Sequence, residues 1–407
     1  MANIRPFKAY MPAKGLEDKI AALPYDVYNR EEALEEVTKN PQSFLRIDRA
    51  ETNFPSDVDT YDDRVYEKAA NLIKEWIKDG SFVQSDKASY YIYQQIMDGR
   101  PQTGIVGAAS VKDYENNVIK KHENTLAAKE ADRIRHIDTT NMQTGPIFLA
   151  FRSNKEIDDF LIAKTANEPY FDFISEDGIG HKVWLIDGDD EINKVSDFFD
   201  TMGAVYIADG HHRCASACKV GAARRKDGKE QESDYFLSVL FPENQLKIMD
   251  YNRVVKDLNG YEEDDFIKEL GTYFEVEEKN IAVKPAIKGQ CGMYLGGKWY
   301  LLTLKKEWEN SDPVEGLDVS ILQKYVLDGM LGIKDPKNDK RIDFVGGIRG
   351  LSELERRCKS DCRVAFAMYP TDINELFAVA DEGKLMPPKS TWFEPKLRSG
   401  IFLYDIG

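Results

Sequence analysis

The sequence predicts a mixed α/β fold of the α+β kind, and three observations carry that expectation. Short strand-like runs recur along the chain, stretches of helical period separate them, and no internal repeat or low-complexity tract breaks the pattern. The strand-like runs are Tyr90-Tyr91-Ile92-Tyr93, Gly104 to Val111, Ile147 to Phe151, Val183 to Ile186, Ala204 to Ala208, Phe236 to Phe241 and Val364 to Met368. Most are rich in β-branched or aromatic residues, which suit a pleated, partly buried surface.

The predicted helices are Val65 to Lys78, Glu156 to Ala163, Glu191 to Phe199, Phe266 to Phe274 and Val319 to Leu331. Another opens at Asp372, because Glu375 stands three residues on and completes a capping box. Changes in pattern divide the chain into segments 1–85, 86–255 and 256–407.

Composition bounds the function. The 407 residues are 42% hydrophobic and 11% aromatic, enough apolar and ring surface for a chain that folds throughout. The formal charge of −16 has the wrong sign for a protein that lives on phosphate backbones, so no nucleic-acid partner is expected. One cleft can still gather positive groups, which leaves a small anion such as a nucleotide open as a ligand. The opening Met1-Ala2-Asn3-Ile4-Arg5 lacks the apolar run of a signal peptide, and no stretch reaches the ~18 apolar residues of a membrane span. A cytoplasmic protein without a membrane partner is expected. The cysteine pairs Cys214/Cys218 and Cys358/Cys362 are spaced four apart, unlike Cys-x-x-Cys metal or redox sites, so reduced thiols on helix turns are expected.

The strongest local signal is Ala204-Val205-Tyr206-Ile207-Ala208-Asp209-Gly210-His211-His212-Arg213. An apolar strand ends at Asp209, Gly210 permits a tight turn, and a helix begins at about His211. Unpaired amides and the dipole at a helix start attract an anion, and Arg213 offers a two-pronged grip on phosphate. Asp209 could hold Mg²⁺ or orient a substrate hydroxyl, while His211 and His212 could donate to phosphate oxygens.

A second constellation runs from Lys120-Lys121-His122-Glu123-Asn124-Thr125 to Asp132-Arg133-Ile134-Arg135-His136. Leu126 stands where a zinc-protease helix would carry its second histidine, so that motif fails. Asp132 and His136 lie four apart on one helical face, where the carboxylate could orient the imidazole, and Arg133 and Arg135 supply positive charge. His181 has no evident partner and reads as structural or surface. Near the termini, Pro24-Tyr25-Asp26 sets a carboxylate in a constrained turn, and Pro387-Pro388-Lys389-Ser390-Thr391 with Lys396 forms a stiff cationic loop able to meet an anion. Neither a Walker A loop nor a Gly-x-Ser-x-Gly elbow is present.

In this order, Arg5-Pro6-Phe7, Pro24-Tyr25-Asp26-Val27, His122-Glu123 with Asp132-Arg133, Asp209-Gly210-His211-His212-Arg213 and Pro387-Pro388-Lys389-Ser390-Thr391 resemble one family. It is the bacterial and archaeal family known as domain of unknown function ten-fifteen, and the resemblance spans nearly the whole chain. The Asp-Gly-His-His-Arg core is also similar to the phosphate-binding turn of the ParB/sulfiredoxin-like superfamily, which includes free serine kinases. That resemblance implies a ParB/sulfiredoxin-like core with large additional α/β segments, and it carries over Asp209, His211, His212 and Arg213 as nucleotide-phosphate or substrate-site residues. Sulfiredoxin's cysteine would stand in the turn, where His211 and His212 are found instead, and no helix-turn-helix of the ParB kind is identified.

The expectation that follows is a small-molecule kinase using ATP or ADP with Mg²⁺, which phosphorylates free L-serine to O-phosphoserine. Glu123, Asp26, Asp209 and His136 are the candidate catalytic groups, with Asp209 also the candidate metal ligand. Gly210, His211, His212, Arg213, Arg133, Lys389, Ser390, Thr391 and Lys396 are the candidate nucleotide-binding groups. The alternatives are a kinase for another small alcohol, a nucleotide hydrolase, a nucleotide-sensing switch without turnover, and a metal site built from His122, His136, His211 and His212.

Overall fold

Ile147–Phe151 and Tyr235–Pro242 are buried at every position, as expected of central strands covered on both faces. They pair in parallel, Val239 opposite Phe148, at the middle of the larger sheet. The computed structural model describes every residue except Asp227. The described residues divide into two compact units, Met1–Leu246 with Pro395–Gly407, and Lys247–Glu394. The expected cut near residue 85 falls inside the first unit, where Tyr10–Pro12 pairs with Phe82–Gln84. That segment also shares a core with later chain: Phe44, Ile47 and Leu72 pack in one cluster with Met142 and Leu403.

In the first unit, nine described strands form one mixed sheet. Its order is Ile119–Lys120, Val205–Asp209, Ile147–Phe151, Tyr235–Pro242, Arg100–Ser110, Tyr90–Met97, Gly180–Ile186 and Phe171–Ile174, with Ile4–Arg5 paired to Arg100–Ser110 off that path. The helices Ala127–Thr140 and His211–Arg224 are tied together by the Ser216 hydroxyl, which donates to the Glu130 carbonyl at 3.1 Å, and by the Lys219–Glu130 ion pair. Arg5 lies 3.7 Å over the Tyr235 ring and donates to the Tyr404 hydroxyl at 2.9 Å, so it joins both chain ends to the sheet.

The second unit carries a six-stranded antiparallel sheet in the order Phe274–Lys279, Lys298–Leu304, Gln290–Leu295, Val364–Met368, Tyr251–Val255 and Ile342–Gly346. The expected helix over Phe266 to Phe274 ends at Leu270, because Phe274 opens an edge strand with Phe274 opposite Leu304. The expected helix Val319 to Leu331 is a short α-helix, Asp318–Ile321, running into a π-helical segment, Leu322–Asp328. Helical spacing of apolar residues does not distinguish these windings. The Asp372 capping box forms as the sequence predicts and opens Ile373–Asp381. No described helix is long and apolar enough to cross a membrane.

Candidate functional site

Val205–Asp209 is an apolar strand that stops at a charged residue, and its pairing with Ile147–Phe151 shifts register between Ile207 and Asp209. Such a bulge bends a strand and re-aims its last side chain. Gly210 follows at φ 89°, a left-handed conformation that costs a residue with a Cβ ~1–2 kcal/mol. The helix His211–Arg224 then starts without a side-chain cap, so no capping group competes for its first-turn amides.

Charged groups converge on this turn. Asp209 Oδ1 accepts from the Gly210 amide at 2.7 Å, and Lys396 Nζ donates to Oδ2 at 3.0 Å. Burial opposes ionisation of Asp209, yet Lys396, Arg213 and the two hydrogen bonds outweigh it and hold the carboxyl well below the usual range. Arg213 Nη1 donates to the Pro146 carbonyl at 2.8 Å. The guanidinium therefore spans two glycines: a Cβ on Gly145 would lie 3.3 Å from Nη1, and one on Gly210 would lie 3.3 Å from Nε.

His122 and Glu123 lie in the extended segment before Ala127–Thr140. The His122 amide donates to His211 Nε2 at 3.5 Å, which leaves Nδ1 as the protonated nitrogen of neutral His211, facing Glu123 Oε2 at 3.9 Å. Burial keeps His211 neutral by pushing its pKa down to about 4. The two imidazoles meet edge to face, 4.5 Å between centroids, and the His122 ring is fully buried. Leu126 donates its amide to His212 Nε2 at 2.9 Å, which pins the same segment to the turn.

Arg133, Asp26 and His136 belong to a neighbouring cavity of about 230 Å³, also lined by Tyr25, Tyr66 and Asp132. A smaller space of about 30 Å³ shares Tyr25, Asp48, Arg133 and His136 with it and reaches Gly145 and Arg213. Arg133 lies 4.0 Å over the Tyr25 ring and pairs with Asp132 at 2.8 Å. The expectation that Asp132 orients His136 is corrected here: Asp132 accepts from the Tyr66 hydroxyl at 2.8 Å, and His136 Nε2 sits 3.3 Å from the Ile47 carbonyl. Neighbours one turn away on a helix still diverge when each finds a better partner on another element. Burial and the Arg133 charge hold His136 neutral.

Lys389, Ser390 and Thr391 belong to the second unit. Within it, the Ser390 hydroxyl is buried and donates to the Pro387 carbonyl at 2.6 Å, and Lys389 lies 5.6 Å over the Tyr251 ring. His181 is no surface residue: it is fully buried in Gly180–Ile186, 2.8 Å from the Tyr93 hydroxyl. The five cysteines are free. Among the described residues no three His, Cys, Asp or Glu side chains form a metal-binding group, so the four-histidine cluster is not assembled. Sequence reasoning missed Tyr61, Tyr66, Asp48 and Glu51, which line the larger cavity. The cluster of tyrosines and acids between positions 48 and 66 was the available signal, but it matches no fixed spacing.

The fold and site define a mixed α/β protein whose uncapped strand–turn–helix corner gathers Asp209, Lys396, Arg213 and His211. The chain belongs to the DUF1015 family, described as a protein of unknown function, whose model matches residues 4–320. No curated protein matches the sequence. Among solved structures, a free serine kinase in complex with AMP is 16% identical, covers 71% of this chain and 86% of its own, and superposes with a TM-score of 0.36. A conserved hypothetical protein from Pyrococcus furiosus is 17% identical, covers 74% of this chain and 94% of its own, with a TM-score of 0.35. C-terminally truncated SbnI from Staphylococcus aureus is 12% identical, covers 72% of this chain and 85% of its own, with a TM-score of 0.38. Likeness at this level assigns no activity to the chain.

Proposed function

We propose that this protein is a nucleotide-dependent small-molecule kinase that transfers a phosphoryl group from ATP or ADP to the hydroxyl of free L-serine. The observation that carries the reading is the uncapped start of His211–Arg224, set beside two cations, Arg213 and Lys396, at the end of a buried strand. Phosphoryl transfer needs in-line positioning and charge neutralisation more than covalent chemistry, and amides at a helix start with a guanidinium nearby supply both. The L-serine substrate rests on the resemblance of the Asp-Gly-His-His-Arg turn to that of the free serine kinases.

In the proposed step the serine oxygen attacks the terminal phosphorus, the bond to the leaving nucleotide oxygen breaks, and a carboxylate takes the hydroxyl proton. Of the three candidates, Asp209 is the weakest base, because Lys396 and Arg213 hold it ionised and unreceptive. Glu123 is favoured: its side chain is 32% exposed and stands beside His211 on the segment pinned by His212. Asp26 lies on an exposed turn of the neighbouring cavity. Mg²⁺ keeps several waters and takes only one or two carboxylates plus phosphate oxygens, so Asp209 or Glu123 fits it without a three-ligand cluster. When bound it would neutralise phosphate charge.

The test is to incubate the full chain with Mg²⁺, L-serine and ATP or ADP and to look for O-phosphoserine. Product that disappears in Glu123→Gln supports the reading. Absence of product with every common nucleotide overturns it, and tight nucleotide binding without product would assign a sensor instead. Arg213→Ala should weaken nucleotide binding, because it removes the charged fork at the turn.

A further inference from the structure

The larger cavity beside the turn has walls unlike a phosphate site. Asp26, Asp48, Glu51 and Asp132 line it against three cations, Arg49, Lys129 and Arg133, so the acids outnumber the cations by one. Four tyrosines, Tyr25, Tyr28, Tyr61 and Tyr66, complete the lining. Two of the rings are fixed in place: Arg133 lies 4.0 Å over Tyr25, and Tyr66 is held by its bond to Asp132 with Arg135 4.4 Å over its face.

One wall carboxylate is buried. Glu51 is 2% exposed, and its Oε1 forms an ion pair with Arg49 Nε at 2.9 Å. Tyr25 and Arg133 also line the smaller space of about 30 Å³ that reaches Arg213, so the cavity and the turn are neighbours.

We infer that the nucleoside half of the nucleotide lies in this tyrosine-walled cavity, with the base against the phenol rings and the ribose hydroxyls donating to Glu51 or a neighbouring carboxylate. The inference rests on the kinase reading above and adds the place of the base and sugar. A flat, uncharged heterocycle gains from aromatic walls, and a vicinal diol can donate to wall carboxylates. The phosphates then extend toward Arg213 and the amides of the turn. A small amino acid would leave most of the rings without contact.

The test measures binding of ADP and of inorganic tripolyphosphate to the full chain by calorimetry, in the wild type, Tyr61→Ala and Glu51→Gln. Tyr61 is 56% exposed, so its removal leaves the core intact. The expected result is about a tenfold loss of ADP affinity in Tyr61→Ala, the size of one lost stacking contact, with tripolyphosphate binding unchanged. Glu51→Gln should lower ADP affinity in the same selective way. Unchanged ADP binding in both variants overturns the inference while leaving the kinase reading in place, and a rise in the KM for L-serine alone would assign the cavity to the acceptor. If the wild type binds neither probe, the kinase reading fails and the inference fails with it.

Discussion

Lys396 and Asp209 are 187 positions apart in sequence, yet Lys396 Nζ lies 3.0 Å from Asp209 Oδ2. The chain leaves the first unit at Leu246, builds a second unit, and returns at Pro395 to deliver this one cation to the end of the strand Val205–Asp209. The contact neutralises a carboxylate that would otherwise repel an anion at the adjacent helix start.

Replacing Lys396 by Met should therefore be felt in two readouts. The pair is partly open to water, 19% exposed at Lys396 and 36% at Asp209, so screening limits the stability loss to about 1 kcal/mol. The Asp209 carboxyl is depressed in the folded state, so its contribution is full above its ordinary value near 4 and fades as the pH falls toward the folded value. Urea denaturation between pH 7 and 3 should show the wild type losing its advantage over Lys396→Met below about pH 4. Equal acid profiles for the two proteins would remove the proposed coupling.

Gly210→Ala should destabilise by ~1–2 kcal/mol, because φ 89° is unfavourable for any residue with a Cβ. The new methyl would also press on the Arg213 guanidinium at 3.3 Å. Nucleotide affinity should fall along with the thermal midpoint. A variant with normal stability and normal binding would show that the turn tolerates other backbone conformations.

Acid stability should be set by histidines. His122, His136, His181 and His211 are all held below their ordinary pKa of 6.5, first of all by burial. A base whose folded pKa is lowered takes up protons in the unfolded chain first, so stability is full above about pH 6.5 and declines as the pH falls. The slope is about 1.4 kcal/mol per pH unit for each titrating imidazole. Denaturant midpoints measured from pH 7 to 5 should drop steeply, and His181→Gln should reduce the slope by about one proton. A flat profile would mean that these imidazoles are hydrated and protonated in the native state.

Ser390→Ala should cost about 1 kcal/mol through the lost bond to the Pro387 carbonyl. Chemical denaturation of the full chain measures that cost directly. A binding defect beyond what the stability loss explains would place this hydroxyl at a ligand.

Much of the architecture was readable before folding. Ile147–Phe151 and Val364–Met368 run over the residues their apolar character indicates, because a short run of branched and aromatic side chains flanked by turn residues has few other ways to bury itself. The turn at Asp209-Gly210 was readable for the same local reason: a strand end, a glycine and a helix start are neighbours in sequence. What failed locally was competition between partners. Asp132 could reach His136 by spacing, but Tyr66 and Arg133 offer it stronger hydrogen bonds.

By itself, then, the sequence determined the elements with strong local patterning, the strand–turn–helix corner, and the residues that gather there from one stretch of chain. Only the tertiary structure decided that Lys396 closes on Asp209, that Glu123 faces His211, and that tyrosines and acids from positions 25 to 66 line a cavity with Arg133. Local patterns record which face of an element must be buried. They carry no record of which distant charge will compensate a buried one, because that choice follows from how the packed elements bring side chains within hydrogen-bond range.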